Sequence, residues 1–287
     1  RDILQRLPKF MQQQMLARLT LKQRLQCAID NQELEVYYQV KVETKSQQVI
    51  GIEALLRWHA AGIGDICPTE FIPMAEETGQ IVTLGSWVLQ TVSAHMIQWH
   101  SDGSLSNSIS DGISDGISVA INVSLKQFEQ AAFAQEIANL LQQTGLPPQL
   151  LELELTESAL MADPAKAINS LKTVHASGVK FIIDDFGRGY CSLSYLQQLP
   201  IDTIKIDVPL IQAIGNNRQS NAIVTAMIDL AHTLDMKVVA EGVETESQNA
   251  FLTAHGCDYL QGCYYSKPLP ANELALFLQA KLSPAKG

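Results

Sequence analysis

Short apolar runs rich in β-branched residues recur along this sequence, and helical patterns separate most of them. Such alternation favours parallel strands joined by crossover helices, and about eight strands are the number that a small closed barrel needs. Strands are predicted at residues 36–40, 50–55, 119–123, 151–155, 179–184, 203–206, 237–240 and 259–264. Helices are predicted, among others, at residues 81–99, 125–143, 164–177, 217–234 and 271–282.

The first two strands are joined differently from the rest. Only a polar turn, residues 41–49, separates Val40 from Ile50, whereas a crossover between parallel strands takes roughly a dozen or more residues. These two strands are therefore expected to form an antiparallel hairpin. The predicted fold class is α/β, a modified TIM-type (β/α)8 barrel with the first strand antiparallel.

Length and composition are those of one large domain. The 287 residues are 46% hydrophobic and 17% charged, and barrels of this type use about 250 residues. The Gln-rich, helix-like opening predicts a helical connector over residues 1–20 and a barrel domain over residues 21–287. Because the first residue is Arg1 rather than Met, we expect a piece of a longer protein. No run nears the ~20 apolar residues of a membrane span. We expect a cytoplasmic domain, either free or part of a larger membrane-anchored protein.

The net charge of −10 argues against binding of DNA or RNA polymers, which relies on a basic surface. A phosphate ester would also be repelled unless bound cations intervened. The five cysteines contain no CxxC pair and are expected to be reduced thiols; they are Cys27, Cys67, Cys191, Cys257 and Cys263. A low-complexity stretch, residues 101–118, repeats the letters DGIS. We expect it to be a surface insertion on the N-terminal face of the barrel, opposite the catalytic face.

Acidic residues follow most of the predicted strands. A single carboxylate after a strand is usually a helix N-cap or a surface ion pair, and that interpretation suits Glu157 or Glu244 taken alone. A barrel, however, gathers its strand ends at one mouth, where buried unpaired carboxylates are strongly disfavoured. We therefore predict a functional cluster there, consisting of Glu53, Asn122, Glu154, Asp184, Asp185, Lys205 and Glu241.

The chemistry of this cluster predicts hard divalent cations. Its ligands are carboxylates and one amide, and no histidine lies at a strand end, which favours Mg²⁺ or Mn²⁺ over Zn²⁺. The adjacent Asp184 and Asp185 could bridge two ions about 3.5–4 Å apart, an arrangement that activates water against a phosphoryl group. Lys205 is either a structural ion pair or a group that orients water and stabilises developing charge.

Nine sequence blocks resemble one family, the EAL-domain cyclic di-GMP phosphodiesterases. The signature that names the family is similar to Glu53-Ala54-Leu55-Leu56-Arg57-Trp58. The other matching blocks are residues 68–76 (PTEFIPMAE), 122–124 (NVS), 154–157 (ELTE), 184–187 (DDFG), 205–207 (KID), 241–244 (EGVE), 261–262 (QG) and 266–269 (SKPL). The resemblance covers roughly residues 21–282, nearly the whole chain.

The resemblance implies a barrel with an antiparallel first strand, and hydrolysis of one phosphodiester bond of cyclic di-GMP to linear pGpG. It also implies two Mg²⁺ or Mn²⁺ ions, inhibition by Ca²⁺, a homodimer, and a sensor or cyclase domain upstream in the full-length protein. By position, Glu53, Asn122, Glu154 and Asp184 match the ligands of the first ion. Asp184 and Asp185 match the groups serving the second ion, with Glu241 as a ligand or proton acceptor, and Lys205 matches the lysine that holds the attacking water.

The resemblance also assigns residues around this centre. Glu157 matches the glutamate that steadies the loop after Asp185, a loop that lies at the family's dimer interface, and Glu244 is implied to support a loop as well. The residues near the bases and phosphates of the substrate are Gln39, Arg57, Asp207 and Gln261.

The sequence departs from the family pattern at three places. Arg188 and Cys191 replace a Thr and a Ser in the usual loop sequence DDFGTGYSSL, Val40 replaces a Pro, and residues 60–65 are atypical. None of these changes removes a predicted ligand, but Arg188 bears on the order of the loop and on coupling within a dimer.

Three functions are open at this point. The leading one is an active, metal-dependent phosphodiesterase. The second is a catalytically weak or inactive receptor for cyclic di-GMP, and the third is a barrel hydrolase or lyase for another phosphate or an enolisable substrate.

Overall fold

The computed structural model describes residues 9–101, 116–188, 193–215 and 218–282. The strands are β1 (Leu34–Glu43), β2 (Val49–Ala60), β3 (Gly64–Ile66), β4 (Ser118–Asn122), β5 (Leu151–Thr156), β6 (Lys180–Phe186), β7 (Thr203–Ile206), β8 (Lys237–Ala240), β9 (Tyr259–Gln261) and β10 (Leu269–Pro270). The helices are α1 (Lys9–Leu25), α2 (Pro68–Thr78), α3 (Ile81–Ser101), α4 (Leu125–Phe128), α5 (Phe133–Thr144), α6 (Glu157–Ala162), α7 (Pro164–His175), α8 (Leu193–Leu196), α9 (Val208–Gln212), α10 (Arg218–Thr233), α11 (Glu246–Ala254) and α12 (Ala271–Leu282).

Eight of these strands close into a barrel. β1 pairs with β2 on one side and with β9 on the other, and both pairings are antiparallel. The remaining neighbours, in the order β2-β4-β5-β6-β7-β8-β9, are parallel. The predicted fold class and its antiparallel first strand are therefore confirmed. β3 and β10 are short additions that pair with the far end of β2 and with β1.

β2 is longer than the strand predicted at residues 50–55, because only its first half belongs to the barrel. Residues 51–54 pair with β4. The second half continues past the barrel and pairs with residues 34–37 of β1 and with β3. The atypical stretch at residues 60–65 forms the turn between β2 and β3 and the first part of β3. Glu53, expected at a strand end, thus lies inside β2, at the level where this strand leaves the barrel.

The single helix predicted over residues 125–143 is wrong, since this region forms two helices, α4 and α5. Phe128 and Phe133 are both buried and pack edge to face, with ring centroids 5.7 Å apart. In a continuous α-helix, five residues rotate through about 500°, which would separate the two side chains by about 140° around the helix. The break between α4 and α5 allows both rings to enter the same core.

The barrel interior carries charged side chains. Successive residues of a strand point to opposite faces, so β5 turns Leu153 outward, into the main apolar core, and Glu152 and Glu154 inward. At the N-terminal end of the barrel, Glu152 forms a buried ion pair with Lys41 of β1. Gly51 of β2 leaves space for this pair, since an added Cβ would lie 2.8 Å from Lys41 Cε.

α1 packs on the outside of the barrel through its last turns. Leu21 and Leu25 join an apolar cluster with Trp58 of β2 and Phe71 of α2. The helix runs without interruption across positions 20 and 21. The division into a connector (residues 1–20) and a barrel domain (residues 21–287) stays a prediction.

The remaining predictions concern membrane helices, the insertion and the cysteines. Of the helices within the described ranges, none has the length and apolar character needed to span a bilayer. The predicted insertion at residues 101–118 falls mostly on residues 102–115, which lie outside the described residues, as does Cys191. Ser118 begins β4, so the far end of the insertion joins the N-terminal end of the barrel. The other four cysteines are free thiols.

Candidate active site at the barrel mouth

Lys205 of β7 lies among the predicted acids at the barrel mouth. Its side chain is 1% exposed. Its ammonium nitrogen lies 2.7 Å from Glu154 Oε2, 2.5 Å from Glu241 Oε1, 3.1 Å from Glu53 Oε2 and 3.6 Å from Asp184 Oδ1. One cation thus contacts four carboxylates that come from four different strands or strand ends.

Strand register brings these side chains to one level. Asn122 of β4 lies opposite Glu154 of β5, and Thr156 of β5 lies opposite Asp184 of β6. Glu241 follows β8 directly, and its backbone N–H donates to the carbonyl of Ile206 in β7 at 3.2 Å. The parallel pairing of the strands therefore fixes the backbone of each acid relative to its neighbours.

The close approach of these charges shifts their pKa values. Burial and the neighbouring Glu53 raise the pKa of Glu154 well above its usual range, and burial raises the pKa of Glu241 to about 7. Burial opposes ionisation of Glu53, but Lys205 and two hydrogen-bond donors outweigh it and lower its pKa. Burial also disfavours the charged form of Lys205, yet Glu154 and the other acids raise its pKa well above the usual value. The ammonium of Lys205 therefore stays charged, whereas Glu154 and Glu241 resist ionisation because they are buried among other acids.

Glu53 is held by a network of amide side chains. Gln261 Nε2 donates to Glu53 Oε2 at 2.6 Å and to Gln39 Oε1 at 3.2 Å. Asn122 Nδ2 donates to Glu53 Oε1 at 2.9 Å, and Gln39 Nε2 donates to the carbonyl of Ser266 at 3.0 Å. Gln39 and Gln261, predicted to lie near the substrate, thus also fix the carboxylate of Glu53.

Asp184 and Asp185 have different ion-pair partners. Asp185 has a φ of 55°, in the left-handed region, and its N–H donates to Asp184 Oδ1 at 2.8 Å. Asp184 approaches Lys205, whereas Asp185 faces the loop that follows β6. In that loop, the N–H of Gly187 donates to Glu157 Oε2 at 3.0 Å. Glu157, predicted to steady the loop, therefore contacts its backbone directly.

Asp207 and Glu244 are two further predicted residues, and each contacts a group outside the Lys205 cluster. Asp207 lies just before α9 and is 5% exposed, and the guanidinium of Arg188 binds both of its carboxylate oxygens. Glu244 lies on the surface after β8, where Gln212 of α9 donates to it at 3.4 Å. The structure does not bring Glu244 to the described part of the loop after β6.

A cavity of about 560 Å³ opens beside the cluster. Its polar lining includes Glu53, Asn122, Asp184, Asp185 and Arg57, and the guanidinium carbon of Arg57 lies 5.5 Å from the centroid of the Tyr37 ring. Much of the remaining lining is apolar and comes from β2, α2 and α3, and it includes Leu55, Leu56, Pro68, Ile72, Ile81 and Leu84. Such a cavity suits a ligand that combines flat apolar groups with phosphate, provided that cations offset the acids.

The donor set fits hard divalent cations in its chemistry. The predicted ligands are five carboxylates and the amide of Asn122, all oxygen-bearing groups. One ammonium against four carboxylates also leaves the cluster short of positive charge. Among the residues that the structure describes, no three acidic, histidine or cysteine side chains are arranged as they would be around a metal ion. Four of the carboxylates instead surround the ammonium of Lys205. A bound cation would share their oxygens with Lys205.

Gln127 and Gly85 also line the cavity, and neither was predicted from the sequence. Gln127 N–H donates to the capping hydroxyl of Ser124 at the start of α4, and its carboxamide is buried against Gly85 of α3. An added Cβ on Gly85 would lie 2.0 Å from Gln127 Oε1. Glycine inside a helix costs about 1 kcal/mol relative to alanine. A glycine within a predicted helix, such as Gly85, therefore indicates a place where a larger side chain would not fit, and this signal was present in the sequence.

Known proteins resemble this chain along most of its length. The family model described as EAL domain matches residues 22–268. The Pseudomonas aeruginosa protein named bifunctional diguanylate cyclase/cyclic di-GMP phosphodiesterase MucR is 40% identical over 260 residues, which are 89% of this chain and 36% of that protein. The Escherichia coli protein named cyclic di-GMP phosphodiesterase PdeR is 34% identical over 261 residues, which are 91% of this chain and 38% of that protein.

A solved structure described as the PaMucR phosphodiesterase in complex with c-di-GMP shares the fold, with a TM-score of 0.82 and 41% identity. The match covers 89% of this chain and 99% of that one. The chain thus spans little more than a third of the length of the two curated relatives.

Proposed function

Because this chain belongs to the EAL-domain family, we propose that it hydrolyses one phosphodiester bond of cyclic di-GMP and releases linear pGpG. The observation that carries the proposal is the contact of the Lys205 ammonium with Glu53, Glu154, Asp184 and Glu241 beside a cavity. The cluster has the oxygen donors and the excess negative charge that divalent cations require. The names of the curated relatives and the c-di-GMP complex of MucR support the choice of substrate.

The cations are proposed to be two Mg²⁺ or Mn²⁺ ions. Glu53, Asn122, Glu154 and Asp184 would hold the first ion, and Asp184 and Asp185 would hold the second, with Glu241 as a further ligand or proton acceptor. When bound, such ions lower the pKa of a water molecule and withdraw charge from the phosphoryl oxygens. Ca²⁺ is expected to inhibit, because it prefers more ligands at longer distances than Mg²⁺ does.

The side chains of this chain then have separate tasks. Lys205 orients the attacking water and offsets the charge that develops on the phosphoryl group. Arg57 holds a phosphate oxygen at the edge of the cavity. Glu241, whose pKa is raised to about 7 by burial, accepts the proton of the water as its oxygen bonds to phosphorus. The bond from phosphorus to the sugar oxygen breaks in line, and that oxygen takes a proton from solvent.

Incubation with cyclic di-GMP and Mg²⁺ or Mn²⁺, followed by chromatography of the nucleotides, tests this function. We expect conversion to pGpG that stops with EDTA and falls when Ca²⁺ is added. Tight binding of cyclic di-GMP without product would instead favour the receptor function, and absence of both binding and product would exclude both functions.

The wider assembly follows from the same proposal. We propose a homodimer in which the loop after β6, contacted by Glu157, lies at the interface. We also propose a sensor or cyclase domain upstream of this chain. The two curated relatives are about three times as long as the regions that match, and one of them is named as a cyclase as well. A cytoplasmic location, where the domain would meet cyclic di-GMP, completes the proposal.

A further inference from the structure

Arg188 replaces a Thr of the family pattern, and its guanidinium contacts Asp185 and Asp207. Its Nη2 lies 3.0 Å from Asp207 Oδ1, and its Nε bonds to the other oxygen of the same carboxylate. Its Nη1 lies 3.5 Å from Asp185 Oδ1. A two-point contact of this kind fixes the plane of a guanidinium more firmly than a single ion pair does. Asp207 is 5% exposed and therefore anchors Arg188 at this position.

Asp185 lies between like charges. Asp184 precedes it in the chain, and the carboxylate of Asp207 binds the same guanidinium as Asp185 does. In the part of the chain that the structure describes, Arg188 is the cation within ion-pair distance of Asp185. The ammonium of Lys205 approaches Asp184 and the three glutamates instead. The two aspartates of the pair thus have different cationic partners.

We propose that Arg188 is a positioning residue that weakens the second divalent-ion site by supplying its own positive charge to Asp185. The inference rests on the proposed function, which assigns Asp184 and Asp185 to the second ion. A divalent ion bound by Asp185 would meet a guanidinium that Asp207 holds in place, and like charges at this separation repel. The first site, for which Glu53, Asn122, Glu154 and Asp184 are the proposed ligands, has Lys205 as its neighbouring cation, so a change at Arg188 should affect it little. The second ion therefore binds more weakly than it would without Arg188, which raises the cation concentration that turnover needs.

Calorimetric titration with Mn²⁺ alone, without nucleotide, tests this inference. The wild-type chain is expected to bind one ion tightly and a second more weakly. Arg188→Gln removes the charge and should tighten the weak site about three- to tenfold, with the tight site unchanged within about twofold. Arg188→Lys keeps a positive charge but loses the two-point contact with Asp207, so it should tighten the weak site less than Arg188→Gln does. Arg218→Gln, the same change at an exposed residue of α10, is the matched control for net charge and should alter neither site.

The outcomes separate this inference from the proposed function. An unchanged or weaker second site in Arg188→Gln, or an equally tightened one in Arg188→Lys, would overturn the inference while wild-type hydrolysis still supports the phosphodiesterase. If the wild-type chain binds no Mn²⁺ and forms no pGpG, the proposed function fails and the inference with it. Thermal unfolding of each variant without metal checks that Asp207, left without its guanidinium, has not unfolded the loop.

Discussion

The ammonium nitrogen of Lys205 lies 2.7 Å from a carboxylate oxygen of Glu154, and both side chains are 1% exposed. Two groups this deeply buried cannot exchange their contact for water, so the ammonium depends on Glu154 and the other acids to remain charged. The same ammonium also serves Glu53, Asp184 and Glu241. Lys205 therefore has a structural role in addition to the proposed role in catalysis, and both of the alternatives that its sequence position left open can hold together.

Replacing Lys205 by Met should destabilise the metal-free domain strongly. The substitution leaves several buried carboxylates without a partner, which typically costs about 3–5 kcal/mol. Urea unfolding in EDTA at pH 8 measures this loss, and added Mn²⁺ should recover part of it by taking over the carboxylates. Lys237→Met is the matched control, because Lys237 is 58% exposed and pairs with Asp258 at the surface; it should cost less than about 1 kcal/mol. A Lys205→Met variant as stable as the wild type in EDTA would contradict this assignment.

Replacing Glu53 by Gln should abolish most turnover without unfolding the domain. The amide keeps the shape of the side chain, and its single oxygen can still accept a hydrogen bond from one of the two donors, Asn122 or Gln261. It lacks the charge that a divalent ion requires, so the rate of pGpG formation should fall by about 10²-fold or more. Glu246→Gln on the exposed start of α11 should leave the rate unchanged. Wild-type turnover in Glu53→Gln, measured by chromatography, would show that Glu53 is not a ligand.

Replacing Glu157 by Ala should loosen the loop after β6. The carboxylate accepts the N–H of Gly187 at 3.0 Å, and without it this amide should exchange with solvent at least about tenfold faster. Hydrogen exchange followed by mass spectrometry of peptides spanning Gly187 measures the change. Glu129→Ala, which removes a surface pair with Lys166, should leave the exchange of this loop unaltered. Unchanged protection at Gly187 would rule out a loop-supporting role for Glu157.

Replacing Gly85 by Ala should strain the wall of the cavity. The new methyl group would overlap the buried carboxamide of Gln127, since the added Cβ lies 2.0 Å from Oε1. The overlap should cost about 1–3 kcal/mol, offset by up to about 1 kcal/mol from the better helix propensity of alanine. Adding Gln127→Ala removes the clash, so the double variant should be more stable than the sum of the two single variants. Additive effects in urea unfolding would mean that the two residues do not press on each other.

Replacing Glu33 by Gln should destabilise the domain in a pH-dependent way. Arg24 lowers the pKa of Glu33 to about 2, with help from the indole N–H of Trp58, which donates at 3.0 Å. A carboxyl group with a lowered pKa stabilises the fold above its unfolded value near 4.5. That stability is lost as the pH falls from 4.5 towards 2. The variant should therefore be about 1–3 kcal/mol less stable at pH 7, and the difference should shrink below pH 4.5.

Urea unfolding of both proteins at pH 7 and at pH 3 measures this difference directly. Glu35→Gln, a change at a 48% exposed residue of the same region, should have a small effect at both values. A difference for Glu33→Gln that stays constant with pH would mean that the charge of Glu33 is not what stabilises this contact.

The fold and much of the site could be predicted because they depend on local patterns. The strand and helix alternation gave the barrel, and the short turn before Ile50 gave its antiparallel hairpin. The predicted acids also gather at one mouth around Lys205. These properties follow from hydrophobic period, connection length and the parallel direction of the strands, all of which are visible in a single sequence.

The remaining features depend on contacts between distant residues. The break between α4 and α5 places Phe128 and Phe133 in one core, and the helical period alone could not reveal it. The contact of Arg188 with Asp207 joins two strand ends that are 19 residues apart. Lys41 and Glu152, which form an ion pair inside the barrel, are 111 residues apart in the sequence. Each of these depends on which side chain faces which across the barrel, and the sequence pattern does not specify that.

The pairing of β1 with both β2 and β9 has a consequence for how the chain is made. A ribosome delivers β1 and β2 early, but β9 begins at Tyr259, more than 200 residues after Leu34. During that interval β1 has one edge without a strand partner, and such an edge can pair with other chains. Closing a ring between positions so far apart is also slow. The unpaired edge of β1 is thus where we expect the growing chain to be most prone to aggregation. A chain released before Tyr259 could not form the pairing of β1 with β9.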